Sequence, residues 1–381
     1  MNDKIIHFVR QLYQTNAAIP LHAPCFIGKE RQYLTDTIDS TFVSSVGKYV
    51  DQFEQQIQQF TGCGKAIATV NGTAALHSAL YMAGVQAGEL VITQPLTFVA
   101  TCNALYHMGA APVFVDISAN TLSLCPQALL HFLQQQARTD ASGCYLKTSG
   151  QRIRAVMPMH TFGHPAALDE LLQICQQWQL VLIEDAAESL GSYYKNQHTG
   201  TIGQFAALSF NGNKVITTGG GGMLLCASVT DGVRAKHLTT TAKVAHRWEF
   251  YHDEPGFNYR LPNLNAALGC AQMESLSYFL AQKRKLAMQY KTFFAGTDYQ
   301  FVDEPAECQA NFWLNAIICP DQHSRDQLLH RTNDAGIMTR PVWQLMHHLP
   351  AFKQAARGDL ACAEVMASRL VNLPSSVTEA V

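Results

Sequence analysis

The sequence predicts an α/β protein: a large domain on a mixed, mostly parallel sheet between helices, followed by a smaller α+β domain. Two observations predict this. Between Gly64 and Ser228, short β-rich runs alternate with helical stretches, the pattern of a sheet covered on both faces. After Asn265 the alternation gives way to long helical periodicity and then to mixed short elements. A chain of 381 residues has length for two or more domains. We take residues 1–255 as the large domain, N-terminal helix included, and residues 256–381 as linking helices and the small domain.

The elements follow in order. Met1–Tyr13 reads as an amphipathic helix, with charged Asp3, Lys4 and Arg10 among apolar residues and no continuous apolar core of a secretory signal. Lys65–Val70 reads as a strand, Ala74–Ala83 as an Ala/Leu-rich helix, Leu90–Thr93 as a second strand, Thr97–His107 as a helix and Pro112–Val115 as a third strand. Pro126 opens a helix running towards Gln136, since proline is tolerated in a first turn. The polar stretch Ala137–Gln151 reads as a surface excursion or small hairpin. Arg154–Met159, Leu180–Ile183, Ala206–Phe210 and Met223–Cys226 are further β-rich runs, with a helix over Leu168–Gln179. Ala266–Lys291 reads as one or two long helices, and Lys283-Arg284-Lys285 as their solvated face.

Composition excludes several classes. Apolar residues make up 48% of the chain, enough for a large core, and 27 basic against 29 acidic residues leave a net charge of −2. That balance argues against nucleic-acid binding and against a disordered, highly charged chain. No apolar run approaches the ~20 residues of a membrane helix. The 11 cysteines are scattered without a C-x-x-C pair, so no metal site is expected, and mostly buried thiols in a reducing cytoplasm fit best.

Three segments put chemistry at strand ends, where open α/β sheets bind ligands. In Asn71-Gly72-Thr73-Ala74 a strand turns into a helix start, whose N–H groups and Thr73 hydroxyl suit an anion such as phosphate; Thr73 suits the role of helix cap equally. In Ile183–Glu188, Asp185 directly follows an apolar strand, so it is either a helix cap or a buried carboxylate in need of a cation such as a pyridinium N–H. In Ser209–Lys214, a lysine follows an apolar strand in a loop of low charge, where burial would free its amine as a nucleophile towards carbonyl compounds. The glycine run Gly219–Gly222 matches neither G-x-G-x-x-G nor G-K-[ST], and reads as tight backbone beside that lysine.

Taken together, a phosphate turn, a strand-end Asp and Ser-x-x-x-x-Lys supply the parts of a pyridoxal phosphate site. The chain resembles the DegT/DnrJ/StrS-type sugar aminotransferases, of pyridoxal-phosphate fold type I, from about Ile19 to Ser376. The resemblance rests on Asn71–Leu76, Glu184–Ser192, Ser209–Lys214, Gly256–Asn263 and Asn372–Ser376. Phe42–Gly47, Thr93–Thr101 and Met159–Pro165 are similar to the branch that aminates C4 of UDP-linked 4-keto-6-deoxy-N-acetylhexosamines for bacillosamine or legionaminic acid synthesis.

The resemblance implies roles. Lys214 would be the Schiff-base lysine and proton carrier, and Asp185 would pair with the pyridinium nitrogen. Thr73, Ala74 and Ser209 would hold the phosphate, with Gly72 shaping the turn. Phe98 would stack on the cofactor ring, and Glu188 would lie near its phenolic oxygen. Asn258, Tyr259 and Arg260 match a segment contributed across a homodimer interface, which implies shared sites. His160, Trp313, Asn315, Arg340, Trp343 and His347 fall in segments that face the substrate, and L-glutamate would be the amino donor. The dehydratases of the family carry histidine in place of the lysine, so Lys214 argues against them. A catalytically idle, ligand-sensing descendant need not retain Asp185, Ser209 and Lys214 together. A 3-amino product, or a GDP- or dTDP-linked sugar, stays open as an alternative.

Overall fold

The computed structural model describes residues 1–377. Alternation becomes a nine-stranded sheet. Its strands are β1 (Lys65–Thr69), β2 (Leu90–Thr93), β3 (Ala111–Phe114), the hairpin β4 (Ala137–Asp140) and β5 (Gly143–Leu146), β6 (Arg152–Val156), β7 (Val181–Asp185), β8 (Phe205–Ser209) and β9 (Gly222–Cys226). The order is β1-β9-β8-β7-β6-β2-β3, with the hairpin added through β5 at β6. The four ladders from β8 to β3 are parallel, whereas β9 runs antiparallel to both its neighbours. Apart from the hairpin strand β4, the strands are mostly buried, because helices cover both faces.

Helices α1 (Asn2–Tyr13), α2 (Glu30–Asp39) and α3 (Lys48–Thr61) precede the sheet; α4 (Gly72–Met82), α5 (Val99–His107), α6 (Pro126–Gln136), α7 (Leu168–Gln177) and α8 (Val229–Thr239) follow its strands. Boundaries differ from the sequence reading by up to three residues, most at β6. There the expected strand Arg154–Met159 ends instead at Val156, and Met159 makes only an isolated bridge to Asp185.

The region Ala266–Lys291 is part of a single 32-residue helix, α9 (Asn263–Phe294). It leads to a four-stranded sheet of Gln300–Phe301, Asn315–Ile318, Leu370–Leu373 and Arg340–Pro341, flanked by α10 (Gln322–Asp334) and α11 (Ala361–Arg369). Two sequence expectations change here. Ile5 and Val9 of α1 pack with Tyr290, Phe294, Ile317 and Leu373, so the N-terminal helix joins the core of the C-terminal unit rather than that of the large one. Lys283 is not on a solvated face but fully buried; Arg284 pairs with Glu304 at 2.9 Å, which leaves Lys285 as the exposed member of the trio. Eight of the eleven cysteines are buried. Among the described residues no helix is long and apolar enough to cross a membrane.

Candidate active site

Three chain reversals at the carboxyl ends of β1, β7 and β8 meet in one cleft of about 330 Å³, which Trp313 and Trp343 of the C-terminal part close from the other side. At β1 the chain turns into α4. The cap of that helix is Asn71, whose Oδ1 accepts from the Ala74 N–H at 2.8 Å. Thr73 is thereby released from capping and lines the cleft. Gly72 and Gly222 are glycines for a steric reason. A Cβ on Gly72 would lie 3.0 Å from Ser209 Cβ, and one on Gly222 would lie 2.4 Å from the Asn71 carbonyl. The glycine run therefore lets β9 pass against the α4 turn and brings Ser209 beside Thr73.

Asp185 ends β7 and is 2% exposed. No helix follows it, so it is not a cap. Its Oδ2 accepts from Thr101 Oγ1 at 2.7 Å, and its Oδ1 from the Ala187 N–H at 3.2 Å. Burial pushes its pKa up from the ordinary value, although Thr101, Ala187 and the Lys214 charge oppose the shift. A carboxylate held in this way gains stability from a cationic N–H placed beside it.

Lys214 follows β8 in a turn closed by its own N–H on the Asn211 carbonyl, at 3.0 Å. Its Nζ lies 3.4 Å from Glu188 Oε1 and 4.0 Å from the centre of the Trp313 ring. The Trp313 indole N–H donates to the Asn213 carbonyl at 2.6 Å, which fixes the ring beside the amine. Glu188 Oε2 accepts from the Phe162 N–H at 2.9 Å, and burial raises its pKa to about 7 against the pull of Lys214. The cleft thus holds a lysine amine next to a carboxyl group able to exchange a proton near neutral pH.

Phe98 is the exposed N-cap residue of α5, 48% accessible, and forms a wall of the cleft with its ring 6.2 Å from that of Trp343. It is therefore not helix core. Trp343 packs on Phe162 at 5.4 Å.

The structure does not bring the remaining sequence candidates into this cleft; Ala74, whose N–H is taken up by the Asn71 cap, does not line it. His160 is fully buried behind Asp185: its Nδ1 accepts from the Ala166 N–H at 3.1 Å, so Nε2 carries the proton and donates to Glu184 at 2.9 Å. Its backbone N–H donates to the Asp185 carbonyl, which makes it a brace for the strand end rather than a substrate contact. Asn315 is buried in the small sheet and donates to Ser375 Oγ at 3.1 Å. Arg340 is exposed and donates to Asn333 Oδ1 and the Thr339 carbonyl, each at 3.0 Å. His347 pairs with Glu364 at 2.8 Å in a separate depression lined also by Lys353 and Arg357. Asn258 and Arg260 pair with each other at 3.0 Å, and Arg260 lines a neighbouring pocket with Gly47, Asp51 and Lys236. Among the described residues, no arginine lines the cleft.

Sequence reasoning missed Thr101, Asn71 and Asn213. The partner of Thr101 lies 84 residues further along the chain, a separation that no local pattern carries. The Asn71 cap was legible, because Asn is among the best capping residues and stands three positions before Ala74.

Comparison with known proteins agrees with this geometry. The profile of the DegT/DnrJ/EryC1/StrS aminotransferase family matches residues 24–379. GDP-perosamine synthase of Escherichia coli O157:H7 is 33% identical over 357 residues, covering 94% of this chain and 93% of its own length. Spore coat polysaccharide biosynthesis protein SpsC of Bacillus subtilis is 35% identical over 289 residues, 73% of this chain and 70% of its own. Among solved structures, the aminotransferase TlmJ of Streptoalloteichus hindustanus superimposes with a TM-score of 0.84 at 23% identity, covering 94% of both chains. The chain belongs to the DegT/DnrJ/EryC1/StrS aminotransferase family. It is a pyridoxal-phosphate-dependent sugar aminotransferase with the type I fold.

Proposed function

We propose that the chain transfers an amino group, from L-glutamate, to C4 of a UDP-linked 4-keto-6-deoxy-N-acetylhexosamine, in the cytoplasmic synthesis of a surface glycan. The observation that carries the chemistry is that Lys214, Asp185 and Glu188 line one cleft together with the α4 turn, Lys214 beside Glu188. The C4 position and the UDP-N-acetyl acceptor rest on the resemblance of Phe42–Gly47, Thr93–Thr101 and Met159–Pro165.

The residues present fit pyridoxal phosphate. The start of α4 offers backbone N–H groups with the hydroxyls of Thr73 and Ser209 close by, a ready anion site. Asp185 is a buried carboxylate whose raised pKa would fall with a pyridinium N–H beside it. Phe98 offers an apolar face between these two ends. When bound, the cofactor supplies an electron sink for the carbanion formed during amino transfer. Lys214 Nζ supplies the nucleophile and moves the proton to and from the reacting carbon; Glu188 holds a proton close to that amine. Trp313 and Trp343 exclude water from the opposite wall.

A cleft without arginine still has to hold a sugar diphosphate. We therefore take Asn258, Tyr259 and Arg260 as the contribution of a second subunit in a homodimer with shared sites. We take residues 1–255 and 256–381 as the two domains, with α1 packed against the second.

A second reading is favoured by the 33% identity to GDP-perosamine synthase, whose name is that of a GDP-linked amino sugar. There the acceptor is a GDP-linked keto-sugar. A donor-coupled assay against UDP-, dTDP- and GDP-linked keto-sugars, with the product assigned by NMR, separates the two. Turnover of the UDP-N-acetyl substrate to a 4-amino product supports the first reading. Turnover confined to the GDP-sugar, or amination at C3, overturns it.

A further inference from the structure

A lysine amine is among the costliest groups to bury, and one with no carboxylate beside it calls for another reason to be there. Lys283, in the middle of α9, is 1% exposed. Its Nζ meets three groups from distant parts of the chain: His22 Nε2 at 2.8 Å, the Trp313 carbonyl at 3.1 Å and the Ser375 carbonyl at 2.8 Å. Each partner lies on a different segment, one before the sheet, one entering the small sheet and one after its last long strand.

The amine donates to the two carbonyls, and its contact with His22 Nε2 is a hydrogen bond whose direction depends on the imidazole tautomer. His22 Nδ1 is buried without a partner. Burial lowers the pKa of Lys283 to about 7 and that of His22 well below its ordinary value.

The clamp ends on the active site. The residue whose carbonyl it holds, Trp313, covers the Lys214 amine at 4.0 Å and ties its indole to Asn213, the neighbour of Lys214. His22 lies close enough to feel the Lys214 charge. We propose that Lys283 is a positioning residue of the aminotransferase reaction: by tying the His22, Trp313 and Ser375 segments to α9, it sets the Trp313 indole against Lys214. The inference rests on the reading of Lys214 as the reactive amine. Lys283 touches neither substrate nor cofactor and acts only through the placement of Trp313.

A double-mutant cycle on the cofactor-loaded enzyme tests this, with Lys283→Met, Trp313→Phe and the pair. The readouts are kcat, the KM for the sugar, the position and pH midpoint of the cofactor's visible absorption band, and thermal stability. Lys283→Met is expected to lower kcat roughly 10-fold with KM for the sugar within about twofold, and to shift the visible-band midpoint. In the Trp313→Phe background the same change is expected to add little, because residues acting through one contact are non-additive. Full multiplication of the two kcat effects, or a Lys283→Met enzyme that loses thermal stability but keeps kcat and the visible band, overturns the proposal. Should Lys283→Met fail to fold, His22→Leu probes the same clamp from its other side and is expected to change kcat and the band in the same direction; an unchanged kcat and band overturn the proposal. Failure of the Lys214 reading itself shows separately, as sustained turnover by Lys214→Ala.

Discussion

Glu188 carries the most direct electrostatic consequence of the site. Its carboxyl is buried, and burial raises its pKa from the ordinary 4.5 to about 7. Between these values the folded protein binds a proton there that the unfolded chain has released. The contribution of Glu188 to stability is therefore fully present below about pH 4.5 and is lost as pH rises through 7. A difference of roughly 2.5 units at 1.36 kcal/mol each sets an upper bound of about 3 kcal/mol. Glu188→Gln keeps an acceptor for the Phe162 N–H and removes the ionisation. The assay is urea unfolding of the cofactor-free protein and the variant from pH 4 to 8.5. The wild type is expected to lose stability relative to Glu188→Gln as pH rises from 4.5 to 7.5, by one to about 3 kcal/mol, with the difference flat on either side. A difference independent of pH, or one that changes in the opposite sense, would refute the reasoning.

Other outcomes follow from the same geometry. Lys214→Ala is expected to abolish turnover with the circular dichroism spectrum unchanged, and Lys214→Arg to fail as well, because a guanidinium stays protonated; steady-state amino transfer by either variant counts against the assignment. Asp185→Asn loses the charge that faces the cleft and is expected to lower kcat by several orders of magnitude, while cofactor absorbance persists; a near-normal rate would reduce Asp185 to a partner of Thr101 and Ala187. Mixing Lys214→Ala with Arg260→Ala subunits is expected to restore part of the activity, since one site of the mixed dimer carries both lesions and the other neither; no recovery, with exchange verified by mass, means each subunit builds its own site.

What could be read from the sequence was what local physics writes there. Apolar runs of four to six residues ending in Asp185 or Ser209 are strands whose ends carry polar groups, and period and spacing suffice to find them. Lys214, Asp185, Thr73 and Ser209 all line the cleft for that reason, while Phe98, which lines it too, was placed by resemblance. Asn315, Arg340 and His347 were placed by resemblance of whole segments, and a segment can border a cleft while individual side chains turn away to Ser375, Asn333 or Glu364. Lys283 is the instructive failure. A Lys-Arg-Lys run on a helix looks solvated, and only the return of the His22 and Ser375 segments over α9 buries its first member.

The central claim is that Lys214 is the amine through which this protein holds its cofactor. Borohydride reduction of the cofactor-loaded enzyme, followed by proteolysis and mass mapping, tests it directly. The expected result is a single pyridoxyl label on Lys214 with loss of the visible band; a label on another lysine, or none in a protein that turns over, would contradict it.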